Sequence, residues 1–177
     1  MSHTRMAQAR RRARELAVQL LYSLGNRSDQ SVDVALDLFC GEGGVAEPDP
    51  PEVKEYLRFL ARGAWMHRGE SDDVLLHVIT GWRPERIVSV DRAVLRLAVF
   101  EGFLERSVPF AVAISEAVDI AQTFGTEDSG RFVNGVLARV VRHLIPESER
   151  NKKSAGKKRG EGQDHGPSEA GTLPADR

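Results

Sequence analysis

The chain is poor in the residues that most directly announce a function. It has one cysteine, Cys40, so no intramolecular disulfide can form, and the composition suits a reducing compartment. No apolar run approaches the roughly 18 residues that a membrane-crossing helix needs. Glu15 and Gln19 interrupt the segment after the basic N-terminus, where a signal peptide would carry its apolar stretch. A mitochondrial-type presequence also has an arginine-rich amphipathic start, but these arginines lead straight into a patterned helix expected to belong to the fold. The expected location is cytoplasmic, with no membrane contact.

Catalytic material is as thin. The five histidines, His3, His67, His77, His143 and His165, lack the spacing of a metal site. His67, Glu70, Asp72 and Asp73 come nearest to a ligand cluster, and helix capping and solubility account for them. Cys40 has no histidine partner in a context that would make it a nucleophile, and is expected in or just under the core. The glycines of "GEGGVAEPDPP" (41–51) lack the strand and helix that a phosphate-cradling loop requires. No metal, no cofactor and no enzymatic activity are expected.

What is present is helix. With 177 residues, 41% hydrophobic and 29% charged, the chain suffices for one domain or two small lobes. Ala13, Leu16, Ala17, Leu20, Leu21 and Leu24 follow the i, i+3, i+4, i+7 spacing of a buried stripe that Gly25 stops. A weaker amphipathic piece covers Val32 to Phe39. Pro51 opens a helix to about His67, and Ser71 with Asp72 and Asp73 is expected to cap another, to about Thr80. Ser89 to about Glu105 is apolar nearly all round, as a helix in the middle of a bundle is. Pro109 starts the next helix and Gly125 ends it. The last runs from about Glu127 to Leu144, before Pro146. The fold class is all-α. Residues 1–8 are expected as a flexible basic N-terminus, 9–146 as the helical domain, and 147–177, almost without large apolar side chains, as a disordered polar tail.

Net charge is only −1, yet residues 1–14 hold Arg5, Arg10, Arg11, Arg12 and Arg14 and no acid. Two readings stand. The arginines are a solvated helix start, or they grip nucleic-acid phosphate, for which the planar guanidinium fork is suited. Cations at the positive end of a helix dipole cost stability, which weighs against the first reading.

Three blocks resemble the NusB family of transcription antitermination factors: "ARRRARELAVQLLYSL" (9–24), "VDRAVLRLAVFE" (90–101) and "VPFAVAISEAVDIAQTFGTEDSGRFVNGVL" (108–137). The resemblance spans about residues 7 to 145. It implies about seven helices in two small packed lobes and no catalysis. It implies binding to boxA, a short single-stranded element of nascent transcripts, notably of ribosomal RNA, together with NusE, a small-subunit ribosomal protein. RNA polymerase in its elongation complex and other Nus factors are the further partners implied, and a homodimer is compatible with the family. By the same resemblance, Arg10, Arg11, Arg12, Arg14, Asp128, Arg131 and Phe132 are expected at the RNA, and Asp91 and Arg92 at NusE. Ser115 and Ala138 depart from residues common in the family. Asp128 also suits a helix start, and Phe132, at the edge of its helix's stripe, either closes the core or stacks on a base. Two other functions stay open: the NusB-like domain that precedes some ribosomal RNA cytosine methyltransferases, and a helical protein-binding or self-associating module.

Overall fold

The computed structural model describes residues 3–27, 30–81, 83–144 and 146. The tail expected at 147–177 lies outside them. Among the described residues there are seven α-helices and no strand: α1 (His3–Gly25), α2 (Val32–Cys40), α3 (Pro51–Met66), α4 (Arg68–Val78), α5 (Ser89–Val99), α6 (Phe110–Phe124) and α7 (Ser129–Leu144). A single 3-10 turn, Pro84–Arg86, precedes α5.

The buried stripes are those the periodicity marks. Leu16, Ala17, Leu20, Leu21 and Leu24 of α1 meet Val53, Leu57, Leu60, Ala61 and Ala64 of α3 in one continuous core. Leu95, Val94 and Val99 of α5 lie at its centre, and Ala117, Ala121, Val133, Val136 and Leu137 of α6 and α7 close it on the other side. The two lobes implied above share one core: α5 packs against α1 and α3 on one side and against α4, α6 and α7 on the other. Burying a leucine or valine contributes roughly 1.5–3 kcal/mol, which makes this stripe the main stabilising term.

Four local features differ from expectation. First, α1 reaches back to His3, so residues 4–8 are an exposed turn and a half of helix where a flexible lead was expected. Second, α4 begins at Arg68, which puts Ser71 inside the helix, fully buried and with its hydroxyl unpartnered. Third, α7 begins at Ser129, two residues later than the sequence suggested.

The fourth is the most consequential. The helix expected to run from Ser89 to Glu105 changes pitch at Phe100. Residues Phe100–Leu104 form a π-helical turn, closed by the Glu105 amide donating to the Phe100 carbonyl at 2.9 Å. Such turns widen the helix by one residue and re-aim its side chains. Here the turn packs against α3 and α6 through two glycines: Gly63 of α3 faces the Phe100 ring, and Gly102 faces Ala113 of α6. It also points Glu101 into the core.

Candidate nucleic-acid interface

The arginines of α1 share one helix but have four different environments. At 100° per residue they fan around the axis, and the neighbouring helices decide what each one meets. Arg10 is exposed, its guanidinium 5.3 Å from the centre of the Tyr56 ring. Arg11 turns toward α6 and donates to Asp119 at 3.0 Å, with Glu15 at 3.6 Å. That bond to Asp119 outweighs the small effect of burial and raises the Arg11 pKa further. Arg12 turns toward the α2–α3 connection and pairs with Asp49 at 3.1 Å. The Arg11 and Arg12 side chains are each about two-fifths exposed. Exposed pairs of this kind contribute little stability. Their carboxylates hold the guanidiniums in place, and a phosphate can exchange with them at small cost.

Arg14 is the exception. Its side chain is 4% exposed, and its Nε donates to Glu101 at 2.9 and 3.0 Å, with a further contact from Nη2 at 2.8 Å. Glu116 lies 3.5 Å away on the other side. Burial alone would lower the Arg14 pKa, but Glu101 and Glu116 more than offset it and the net direction is upward. The Tyr56 hydroxyl donates to the same Glu101 carboxylate. Burial first, and then that bond, push the Tyr56 pKa up to about 12. The fork of Arg14 is thus spent inside the protein, joining α1 to the π turn. The sequence block places Arg14 with its neighbours; only the position of Glu101 separates it from them.

Across the molecule, the turn between α6 and α7 presents a second group. Gly125 ends α6, and the Thr126 amide donates to the Ser129 hydroxyl at 2.8 Å, which fixes the turn. Beyond it Asp128 and Arg131 are exposed, their side chains more than four-fifths accessible, and paired only at 3.5 Å. Phe132 is 37% exposed at the edge of α7, so it neither lies in the core nor stands free of it. The two groups share α6. Asp119, which holds Arg11, stands about 8 Å of helix rise before the end of α6, next to the turn.

The start of α5 does not present both of its charges. Asp91, expected at a partner surface, is 4% exposed, and α7 covers it at Ser129. Burial raises its pKa, opposed by a hydrogen bond from Ser129, while Oδ1 has no hydrogen-bond partner. Arg92 is half-buried beside a cleft of about 580 Å³ that also holds Gly25, Trp65, Glu85 and Arg96. Arg96 is itself tied to Asp72 at 2.6 and 2.9 Å.

The raised Asp91 pKa has a stability consequence with a definite sign. The folded protein holds this proton more tightly than the unfolded chain does. Its contribution to stability therefore falls as pH rises from the ordinary value of 3.8 through the raised one. Asp91→Asn should gain stability relative to the parent as pH rises above the ordinary carboxyl value of 3.8, read as urea midpoints. A constant difference between the two proteins over that range would show that Asp91 does not titrate anomalously.

Among the described residues, no group of three or more histidines, cysteines and carboxylates is arranged to hold a metal ion. No described helix is long and apolar enough to cross a membrane.

Comparison with known proteins fits this arrangement. The model of the NusB family matches residues 11–142. The transcription antitermination protein NusB of Symbiobacterium thermophilum is 45% identical over 139 residues, covering 77% of this chain and 91% of that protein. The protein of the same name from an Anaeromyxobacter species is 43% identical, covering 82% and 98%. Among solved structures, T. maritima NusB superposes with a TM-score of 0.68 at 33% identity, over 80% of this chain and 96% of that one. A structure described as antitermination factors NusB and NusE in complex with dsRNA matches with a TM-score of 0.64 at 25% identity, over 76% and 97%. The arginine-led first helix, the central helix and the turn that carries Asp128 and Phe132 all lie inside the matched span, and this chain belongs to the NusB family of transcription antitermination proteins.

Proposed function

We propose that this protein binds boxA-type single-stranded RNA in nascent ribosomal RNA transcripts, together with NusE, and acts by binding alone, without catalysis. The observation that carries the reading is the pair of exposed groups joined by α6: Arg10, Arg11 and Arg12 on α1, and Asp128, Arg131 and Phe132 at the start of α7. A single strand offers the three things these groups take. Its phosphates suit the arginines, its base amino groups suit Asp128, and a base face suits the exposed edge of Phe132. Arg92 and the cleft beside Trp65 form the proposed NusE face. RNA polymerase and further Nus factors join through that complex, in the cytoplasm. The relatives' printed names favour antitermination over a methyltransferase-associated domain.

The deciding experiment titrates a boxA-type RNA with and without NusE over a range of salt. Each phosphate contact with a single strand contributes about −0.7 to the slope of log affinity against log salt. Four exposed arginines, with Arg14 excluded, give a slope of about −2 to −3. Binding to duplex DNA should be much weaker, and NusE should raise RNA affinity by a coupling that works equally in the reverse direction. Equal affinity for duplex DNA and the RNA at physiological salt would reduce the site to a generic basic patch.

Phe132 separates stacking from packing within one variant. Stacking on an aromatic is worth about 1–3 kcal/mol per base, and truncating a buried phenylalanine costs about 3–5 kcal/mol of stability. With more than a third of the ring exposed, Phe132→Ala should lose at least about tenfold in RNA affinity and less than about 2 kcal/mol of unfolding free energy. The reverse pattern would make Phe132 a core residue.

A further inference from the structure

Beyond Tyr56, the outer face of α3 is built from aromatic and cationic groups that the site described above does not use. Two open hollows, each of about 450 Å³, meet at the exposed side chain of Phe59. The first lies between α1 and α3, with Met6, Arg10 and Tyr56 in its wall. The second continues beyond Phe59 to Arg62 and His67. A ladder of aromatic rings backs them, with Phe59 exposed and Phe100 buried beneath. Tyr56 and Phe59 stack at 5.8 Å and 19°, Phe59 meets Phe100 at 5.7 Å, and Phe100 stacks on His67 at 5.7 Å.

Arg10 stands at one end of this ladder. Its neighbours Arg11 and Arg12 are each matched by a carboxylate, whereas among the described residues no ion pair engages Arg10. Its guanidinium lies over the Tyr56 ring and its donors face solvent. An exposed, unmatched guanidinium at the lip of an aromatic groove suits a ligand that alternates anions with flat π-faces. That is the chemistry of a single-stranded nucleic acid. Arg10 belongs to the groove and to the arginine face of α1 at once, so a strand bound on that face enters the groove without a gap.

We propose that this groove holds a flanking nucleotide of the bound RNA, outside the core element, with its base stacked on Phe59 and a phosphate on Arg10. The proposal rests on the RNA-binding reading above. It adds a second contact region, on the α3 side of α1, away from Asp119 and the α6–α7 turn. On the α3 wall Glu52 is matched by Arg5 at 3.6 Å, while Glu55 repels phosphate and favours a strand with its bases, not its backbone, toward α3.

The test compares a boxA-type RNA with the same RNA extended by about three nucleotides on either end. One extension should raise affinity about tenfold, the gain expected of one stacked base. Phe59→Leu keeps the apolar volume and removes the ring, and should abolish that gain while binding the short RNA as the parent does. A 2-aminopurine placed in the favoured extension should lose fluorescence on binding to the parent, a readout that needs no variant. Failure of the short RNA to bind would sink the underlying reading. Binding of the short RNA with no gain from either extension, or a gain that Phe59→Leu leaves intact, would overturn the groove proposal alone. Loss of NusE affinity in Phe59→Leu, with RNA binding unchanged, would overturn it in favour of a protein-binding face.

Discussion

Glu101→Ala is expected to lower the unfolding free energy by about 3–5 kcal/mol, the largest single effect in this protein. Glu101 is 1% exposed and takes three contacts from two donors of Arg14, Nε and Nη2, in addition to the Tyr56 hydroxyl. Removing the carboxylate leaves the Arg14 guanidinium buried with only Glu116, 3.5 Å away, to compensate it. Tyr56 loses its acceptor at the same time. An uncompensated charge is what makes breaking a buried pair costly, while replacing the whole pair is often nearly neutral. Arg14→Met combined with Glu101→Leu should therefore recover most of the loss. Arg12→Ala, which removes an exposed pair, should cost less than about 1 kcal/mol. Urea unfolding of the four proteins would decide the matter. A loss under about 1 kcal/mol for Glu101→Ala would mean that water reaches Arg14 after all, and would return it to the candidate RNA surface.

Gly63→Ala carries the second large effect, and its sign opposes helix propensity. Alanine in the middle of a helix is favoured over glycine by about 1 kcal/mol. At position 63, however, a β-carbon would sit against three carbons of the Phe100 ring, closer than non-bonded atoms approach. Phe100 is 4% exposed and wedged between Phe59 and His67, so it cannot swing aside without opening the core. Overpacking of this kind costs about 1–3 kcal/mol, and a ring held between Phe59 and His67 lies at the upper end. A net loss of about 2 kcal/mol is expected, and Phe100→Leu in the same chain should restore part of it. The double-mutant cycle measures this directly. Additive losses would show that the two positions do not touch.

How much of this was legible in the sequence depended on how local the cause was. The buried stripes were legible because a helix that packs on a core must repeat its apolar residues every 3.6 positions. Leu16, Leu20 and Leu24 do so on α1, as do Leu57, Leu60 and Ala64 on α3. The helix ends at Gly25, Pro51, Pro109 and Gly125 were legible for a similar reason: proline fixes the backbone at its own position, and glycine frees it to leave the helix. The resemblance to the NusB family was legible because its blocks are contiguous in the chain, and the family match over residues 11–142 agrees with it.

Other features belong only to the tertiary structure, because their causes lie far apart in sequence. Arg10, Arg11, Arg12 and Arg14 are the same residue type within five positions. They differ only because Tyr56, Asp119, Asp49 and Glu101 come to them from four other parts of the chain. Asp91 reads as a surface charge until α7 folds over it. The π turn at Phe100 is set by the close approach of Gly63 and Gly102 to neighbouring helices, not by a local propensity. The sequence by itself determined seven amphipathic helices, where most of them stop, and a basic first helix of the NusB kind. Tertiary packing decided which charges face water. Burying an arginine requires a partner of opposite charge in the right place, and only the fold brings Glu101 to Arg14.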